Sequence, residues 1–385
     1  MVVLDLGGAN TKYILSLKKE KKEGSCMKKT YPCVEVNLKK LAHNVKTILA
    51  MCDKKHIDVA AVTKVYCAQK PIVEAILEAG VTQVADSRIL NLKNLKDLNC
   101  TKMLLRIPMI SEVYEVVRYS DCSLNSEIDT IRHLSKAAKE LTKIHNIILM
   151  VELGDLREGV LIEDVVSIVS KIVKLDNIKL IGMGTNVTCY GGVIPDKENL
   201  GKLIKLKLNI EKKFNLSLPV ISGGNSSSLY MVINDAMPKE INQLRIGESI
   251  VLGRETSFGL KVHNCYDDLF ILSGEIVEIK SKPTIPTGTI RMDCFGSKPD
   301  FEDKGIRKRA IIAVGRQDIR VEGLTPLDTD ISIFGGSSDH LILDITDSKK
   351  ELAVGDIVDF KMDYGCLLAA MTSPYVEVYY KNELA

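Results

Sequence analysis

The sequence predicts a (β/α)8 barrel followed by an all-β domain. Two observations carry this expectation. Between residues 57 and 252, short β-rich apolar runs alternate with stretches of helical periodicity, about eight strand–helix units over roughly 200 residues, which is the arithmetic of a closed barrel. After residue 255 the helical periodicity nearly vanishes, and β-rich runs are separated by Gly, Pro and Asp, the texture of an all-β unit. A doubly wound open sheet is the alternative for the first part, but it more usually has about five to seven strands.

Residues 1–26 stand apart as a leader or fragment, expected to be poorly ordered. The strand-like "VVLDLGGANTKYI" runs into a solvated charge run, "SLKKEKKEG", and Met27 can serve as a start. Its DxGxxxTK pattern resembles the first phosphate loop of the actin-like ATPases, with no room for the rest of that fold. The barrel is expected over 27–255 and the β domain over 256–385. In order, barrel strands are expected at "DVAAVTKV", "VTQVADS", "KMLLRIP", "DCSLNS", "NIILMVELG", "IKLIGMGTNV", "LPVISGG" and "QLRIGESIVLG". Between them, "PIVEAILEAG" has amphipathic spacing and a closing glycine. "SEIDTIRHLSKAAKELTKI" opens on a capping residue, Ser126, and "VVSIVSKIVKL" and "ENLGKLIKLKLNIEKKF" repeat the helical pattern. The β domain is expected from "LFILSGEIVEIKSK", "TGTIRMDCFG", "RAIIAVGRQDIR", "ISIFGGSSDHLILDIT" and "GDIVDFKMD".

Composition narrows the function. Lys+Arg at 52 nearly balances Asp+Glu at 50, which argues against the basic face that generic nucleic-acid binding relies on. No apolar run reaches the roughly 18 residues of a membrane span, and Asp5 and Asn10 interrupt the short N-terminal apolar stretch. The ten cysteines are scattered without a CxxC pair. That argues against a zinc site or disulfide framework, and for free thiols in a reducing cytoplasm. No metal is expected.

In such a barrel, chemistry sits at the C-terminal ends of the strands. The first apolar run, Val59 to Val62, stops at Lys64, which is either a solvated strand end or a reactive amine. The fifth gives Glu152, Asp155 and Arg157, and the sixth Asn186 and Thr188. "SGGNSSS" (222–228) ends the seventh and "RIGES" (245–249) the eighth. Backbone N–H groups at such turns bind phosphate, and serine hydroxyls add donors. Either turn alone reads as ordinary; two after the last two strands match the recurrent phosphate site of barrels. A phosphate site facing a strand-end lysine points to pyridoxal 5'-phosphate, which needs a lysine for its Schiff base, an anchor for its phosphate and a partner for its ring nitrogen. Arg245 suits the last role.

An ordered series of segments, from about residue 30 to 380, resembles the alanine racemase family of fold-type III pyridoxal enzymes. "YPCVEVNLKKLAHNVKTI" (31–48) resembles the family's opening strand and helix with its "HN", and "AVTKVY" its lysine strand. "LGDLREG" resembles "GMGRLG", "SGGNSS" the Asn-Ser phosphate segment, and "RIGESIVLG" the family's "RPGIALYG". "SSDHLILDI", "VGDIVDF" and "DYGCLLAAM" resemble "SMDQLMVDL", "VGDEVVL" and the "YEILC" segment. The resemblance implies that Lys64 carries the cofactor and serves one face of the substrate. It implies Arg157 near the cofactor hydroxyl, Arg245 at the pyridine nitrogen, and Asn225, Ser226, Gly247 and Tyr364 around the phosphate, with Asn186 and Glu248 beside them. It implies a first strand, about 31–37, that joins the β domain. It also implies an amino-acid substrate, no nucleic-acid or membrane partner, and a homodimer whose sites combine the barrel of one subunit with the β domain of the other.

Three positions depart from the family pattern. Arg316, in "AVGRQDI", stands where the family has its second acid/base tyrosine. Ala68 stands near the place of a phosphate-binding tyrosine, and Ser338 replaces a methionine. "GRQD", "GGSSDH" and the start "YPCVEVNLKKL" together are most similar to the ornithine-acting branch of the family. The expected activity is interconversion of L- and D-amino acids, ornithine first, by removal of the α-proton. Arg316, with a pKa above roughly 12, is a poor base and suits the substrate carboxylate. Asp318, Asp339, His340, Cys366 and Tyr190 are candidates for the second acid/base. A permanent cation at Arg245 favours racemisation over decarboxylation. Two alternatives stay open: a non-catalytic pyridoxal-phosphate-binding protein, which would lack residues 256–385, and a fold-type III decarboxylase or aldolase.

Overall fold

The computed structural model describes residues 29–298 and 300–383; the expected leader over 1–26 lies outside them. Strand β1 (Cys33–Asn37) leads into the helix Leu38–Asp53, which Asn37 caps by accepting from the Lys40 backbone N–H at 3.0 Å. Each of the eight alternating runs then becomes a parallel strand: β2 (Asp58–Val62), β3 (Gln83–Asp86), β4 (Thr101–Leu104), β5 (Cys122–Asn125), β6 (His145–Met150), β7 (Ile178–Gly184), β8 (Val220–Asn225) and β9 (Gln243–Ile246). β9 pairs with β2 and closes the barrel. Ala60, Val62, Met103, Leu124, Ile148 and Met150 pack together inside it, so the barrel is a filled core rather than a pore.

The helices Lys70–Glu78, Ile128–Glu140, Val165–Ile172 and Lys197–Phe214 alternate with these strands. The last begins with a reciprocal cap, in which Asp196 accepts from Asn199 N at 2.7 Å and Asn199 accepts from Asp196 N at 3.0 Å. Ser126 does not cap its helix: Glu127 holds the cap position and no side chain bonds there. Two short helices, Ile89–Asn94 and Val113–Tyr119, were not expected from periodicity, which needs a longer window to show.

The antiparallel sheet comprises β10 (Phe270–Pro283), β11 (Ile306–Ile312), β12 (Leu324–Pro326), β13 (Ser332–Gly336), β14 (Leu341–Asp344) and β15 (Ile357–Met362), in the order β12-β15-β10-β11-β14-β13. β1 joins it through β10, and β16 (Glu377–Lys381) pairs parallel to β1. "ISIFGGSSDHLILDIT" folds as the hairpin β13–β14, turned where Ser337 N donates to His340 O at 2.8 Å. "TGTIRMDCFG" is a correction. Residues 287–296 are exposed and form no strand among the described residues, and Gly288 and Gly296 (φ +105° and +80°) interrupt the extended path. The helix Tyr364–Thr372 is a second one: it lies in a region whose sequence reads as nearly helix-free, and it starts where Asp363 accepts from Cys366 N at 2.7 Å.

A single hydrophobic cluster runs from Val59 and Ala61 of β2, through Leu41 and Val45 of the first helix, to Leu272 and Phe360 of the sheet. Asn44, fully buried, stitches the same junction with its amide, which bonds Tyr266 N (2.7 Å), Tyr266 O (2.8 Å) and Ile250 O (3.1 Å). The helix Tyr364–Thr372 rests on the turn after β2, where Cys67 Sγ donates to Met371 O at 3.5 Å.

Candidate functional site

The turn after β2 sets Lys64. Thr63 ends the strand by donating its backbone N–H to Ala85 O (2.9 Å) and its hydroxyl to Asp86 (2.6 Å). The chain then tightens through Lys64–Tyr66, closed by Cys67 N to Lys64 O (3.2 Å) and Ala68 N to Thr63 O (3.1 Å). Cys67 and Ala68 both take left-handed backbone angles (φ +51° and +50°), which are costly for residues other than glycine. Lys64 lines a cavity of about 340 Å³, and its amine makes no hydrogen bond or ion pair among the described residues.

The ends of β8 and β9 line the same cavity. Asn225 accepts from Ser227 N at 2.8 Å and donates to Val187 O at 3.0 Å. Ser226 Oγ accepts from the N–H groups of Gly247 and Ser249, both at 3.2 Å, and so joins the two glycine turns at one point. The hydroxyls of Ser227 and Ser249 are buried without a partner. Donors left open at a pair of glycine turns suit an anionic group.

Arg245 points inward from β9, 4% exposed, and donates to Ser222 Oγ and to Thr185 O (2.7 Å). Burial pushes its pKa down to about 10, and the nearby Arg157 charge works in the same direction against Cys189 and Glu158. It therefore stays cationic at neutral pH. Arg157, after β6, pairs with Glu158. Burial opposes its charge, but Glu158 more than offsets this and its pKa rises. Asn186 stands between Asn225 and Arg157. Glu248 takes Arg254 Nε at 2.8 Å, and burial raises its pKa against that pairing. Burial, then the charge of Glu248, pushes the Tyr364 phenol well up, so it acts as a neutral donor.

Lys64, Arg157, Asn186, Asn225, Ser226, Arg245, Gly247, Glu248 and Tyr364 thus share one cavity. Glu158, Cys189 and Thr256 also line it, and none of them stood out in the sequence. Asp155 has a role no local pattern signals. Fully buried, it accepts backbone N–H bonds from Cys189 (3.1 Å), Tyr190 (2.9 Å), Gly191 (3.1 Å) and Val193 (3.3 Å), and so shapes the loop that carries Cys189.

Arg316, Asp318 and Asp339 do not line the cavity of their own chain. Arg316 bonds Glu322 (2.5 Å) and Gly336 O (3.2 Å) and lies over the Phe295 ring. Asp318 accepts from Ser373 Oγ at 2.6 Å, and Asp339 from the hydroxyls of Ser337 and Ser338 at 3.2 and 3.1 Å. Among the other candidates, His340 pairs with Asp339, Cys366 is buried with its thiol pushed up to about 12 by that burial, and Tyr190 is largely exposed. Another cavity of similar size, about 350 Å³, lies by Lys261, Asp267, Glu322 and Lys361; Asp267 there bonds Lys361 at 2.9 Å and Lys261 at 3.3 Å.

Comparison with known proteins adds four likenesses. Residues 36–255 match the family described as alanine racemase, N-terminal domain. An ornithine racemase of Acetoanaerobium sticklandii is 49% identical over 348 residues, 90% of this chain and 99% of that protein. A lysine racemase of Thermotoga maritima is 39% identical over 356 residues, 92% of this chain and 99% of that one. Among solved structures, an alanine racemase from Bartonella henselae with covalently bound pyridoxal phosphate superposes with a TM-score of 0.69 at 15% identity, covering 92% of this chain and 100% of that one.

Proposed function

This chain belongs to the alanine racemase family, and from that premise we propose that it interconverts L- and D-ornithine. It is an isomerase, an amino-acid racemase that uses pyridoxal 5'-phosphate. The observation that carries the reading is the unpaired Lys64 amine sharing one cavity with Arg245 and the joined glycine turns.

The donors fit this cofactor: one free amine and two guanidinium groups line the cavity, and two buried hydroxyls without partners, those of Ser227 and Ser249, lie in the adjoining glycine turns. Lys64 would hold its aldehyde carbon, Asn225, Ser226, Gly247 and Tyr364 its phosphate, Arg245 its ring nitrogen and Arg157 its hydroxyl, with Asn186 and Glu248 beside them. When bound, the cofactor supplies a conjugated ring that accepts the electron pair left as the α-proton departs. Lys64 takes and returns that proton on one face of the substrate. Arg245, buried and cationic, opposes protonation of the ring nitrogen. That shortens the life of the separated charge and favours return of a proton over loss of carbon dioxide. Asp155 holds residues 189–193 against the cavity, which keeps its wall in one place.

The second face needs its own acid/base. Arg316, Asp318 and Asp339 sit on the sheet side of the chain, outside its own cavity. This supports a homodimer in which a second copy presents them, with Asp318 or Asp339 moving the proton and Arg316 holding the substrate carboxylate. The proposed compartment is the cytoplasm, on the scatter of ten cysteines.

The test is formation of D-ornithine from L-ornithine, beside lysine and alanine, with exchange of the α-proton followed in heavy water. Ornithine is expected to turn over fastest. Faster turnover of alanine would overturn the substrate assignment, and a protein that takes up the cofactor without exchanging any α-proton would be a binding protein.

A further inference from the structure

The strand beside the lysine strand ends in another buried charge. Asp86, the last residue of β3, is fully buried. Its carboxylate accepts from Thr63 Oγ1 (2.6 Å), the Arg88 backbone N–H (2.8 Å) and Asn91 Nδ2 (3.0 Å). All three donors are neutral. A buried carboxylate ordinarily has a cation as partner, yet Asp86 forms no ion pair among the described residues. Burial raises its pKa above the ordinary carboxylate value; the three hydrogen bonds and, last, the charge of Lys64 oppose this.

Besides the paired Arg157 and Glu158 and the Arg245 guanidinium, which line the same cavity, three further elements place charged or titratable groups around Lys64. Glu248, at the start of the helix Glu248–Leu252, feels the Lys64 charge, but Arg254 neutralises it. Tyr364 comes from the helix above, and Tyr66 and Cys67 from the lysine's own turn; burial and then, for the latter two, the charge of Asp86 push these groups up and keep them neutral. Asp86 is thus the acidic group of this set that has no ion-pair partner among the described residues. Its mechanical link to the amine is Thr63, the residue immediately before Lys64, just where the chain bends into two left-handed residues.

We propose that Asp86 is a positioning residue for the cofactor-bearing amine: through Thr63 it fixes where Lys64 leaves the strand, and when ionised its charge acts on that amine. The proposal rests on the reading of Lys64 above. A nearby anion favours the protonated amine, so its removal lets the proton leave at lower pH.

The test titrates the full-length apoprotein with pyridoxal 5'-phosphate and follows visible absorbance of the lysine attachment against pH, with racemase assays on the same samples. Asp86→Asn is expected to lower the pH midpoint of attachment by about one unit and kcat by about tenfold. Thr63→Val is expected to lower kcat by about tenfold with KM unchanged, and Thr63→Ser, which keeps the hydroxyl, to restore it. Should Asp86→Asn not fold, the contrast between the two Thr63 variants decides. Equal rates for Thr63→Val and Thr63→Ser, or an unshifted midpoint in a folded Asp86→Asn protein, overturn the proposal and leave the role of Lys64 standing. A wild-type protein without any visible attachment overturns the reading of Lys64 itself.

Discussion

The two ends of the barrel treat buried polar groups in opposite ways. At the base, β6 begins with His145, only 2% exposed, whose Nε2 meets Ser123 Oγ at 2.8 Å. Gln243 donates there to Gln83 Oε1 at 2.9 Å. Burial, helped by Lys143, pushes His145 down to about 4, so the imidazole is neutral. At the mouth, Arg157 pairs with Glu158 and Glu248 with Arg254, while Lys64, Asp86 and Arg245, from neighbouring strands, form no ion pair among the described residues. The base is closed by neutral pairs and by one buried cation, Lys102, held on the carbonyls of Leu98 and Cys100. This is the division expected of barrels, with stability at one face and chemistry at the other.

The sharpest way to break this comparison is Lys64→Ala. Racemase activity should fall by at least about a thousandfold, while the melting temperature stays within about 2 °C of wild type. A large loss of stability would mean that the mouth is also structural. Next, Arg245→Gln should lower kcat by roughly a hundredfold through loss of a preorganised charge, measured with the cofactor at saturation. At the base, the signature is acid sensitivity. The folded-state pKa of His145, about 4, lies below the ordinary 6.5. The unfolded chain therefore binds the proton more readily, and stability is lost as pH falls from about 6.5 towards 4, on the order of 2–3 kcal/mol. Urea midpoints between pH 7 and 4.5 should show this slope flattened in His145→Gln; an equally steep slope would assign the acid sensitivity elsewhere. The smallest effect is Ser123→Ala, which leaves a buried ring nitrogen without its partner, costing about 1–3 kcal/mol of stability with kcat unchanged.

What could be read in the sequence follows the same divide. Strand ends project onto the mouth, so Lys64, Arg157, Asn225 and Arg245 were legible from position alone once eight runs had been counted. Asp155 was one of three polar residues at its strand end, with nothing to mark its task, and Asp86 did not stand out. The amides that Asp155 gathers lie 34 to 38 residues further on, and no local pattern records that. "TGTIRMDCFG" has the composition of a strand but no neighbour to pair with, and strand formation depends on the neighbour. The helix Tyr364–Thr372 was hidden because it is apolar on most sides, with Leu367, Ala370 and Met371 all buried, and so lacks an amphipathic stripe. Arg316, Asp318 and Asp339 owe their reading to resemblance, since a site shared between two chains, as proposed, would leave no spacing signal in one.

Gly247 has a bearing on the reaction that reaches beyond its backbone N–H. A methyl group at this position would come within 3.0 Å of Val62 Cβ, two residues ahead of the reactive amine. On the proposed reading, the turn that would bed the cofactor's anionic tail and the strand that leads to Lys64 approach this closely because position 247 carries only hydrogen. A larger residue there would push the two apart, so the spacing between the proposed anchors of the cofactor is set by a side chain of hydrogen.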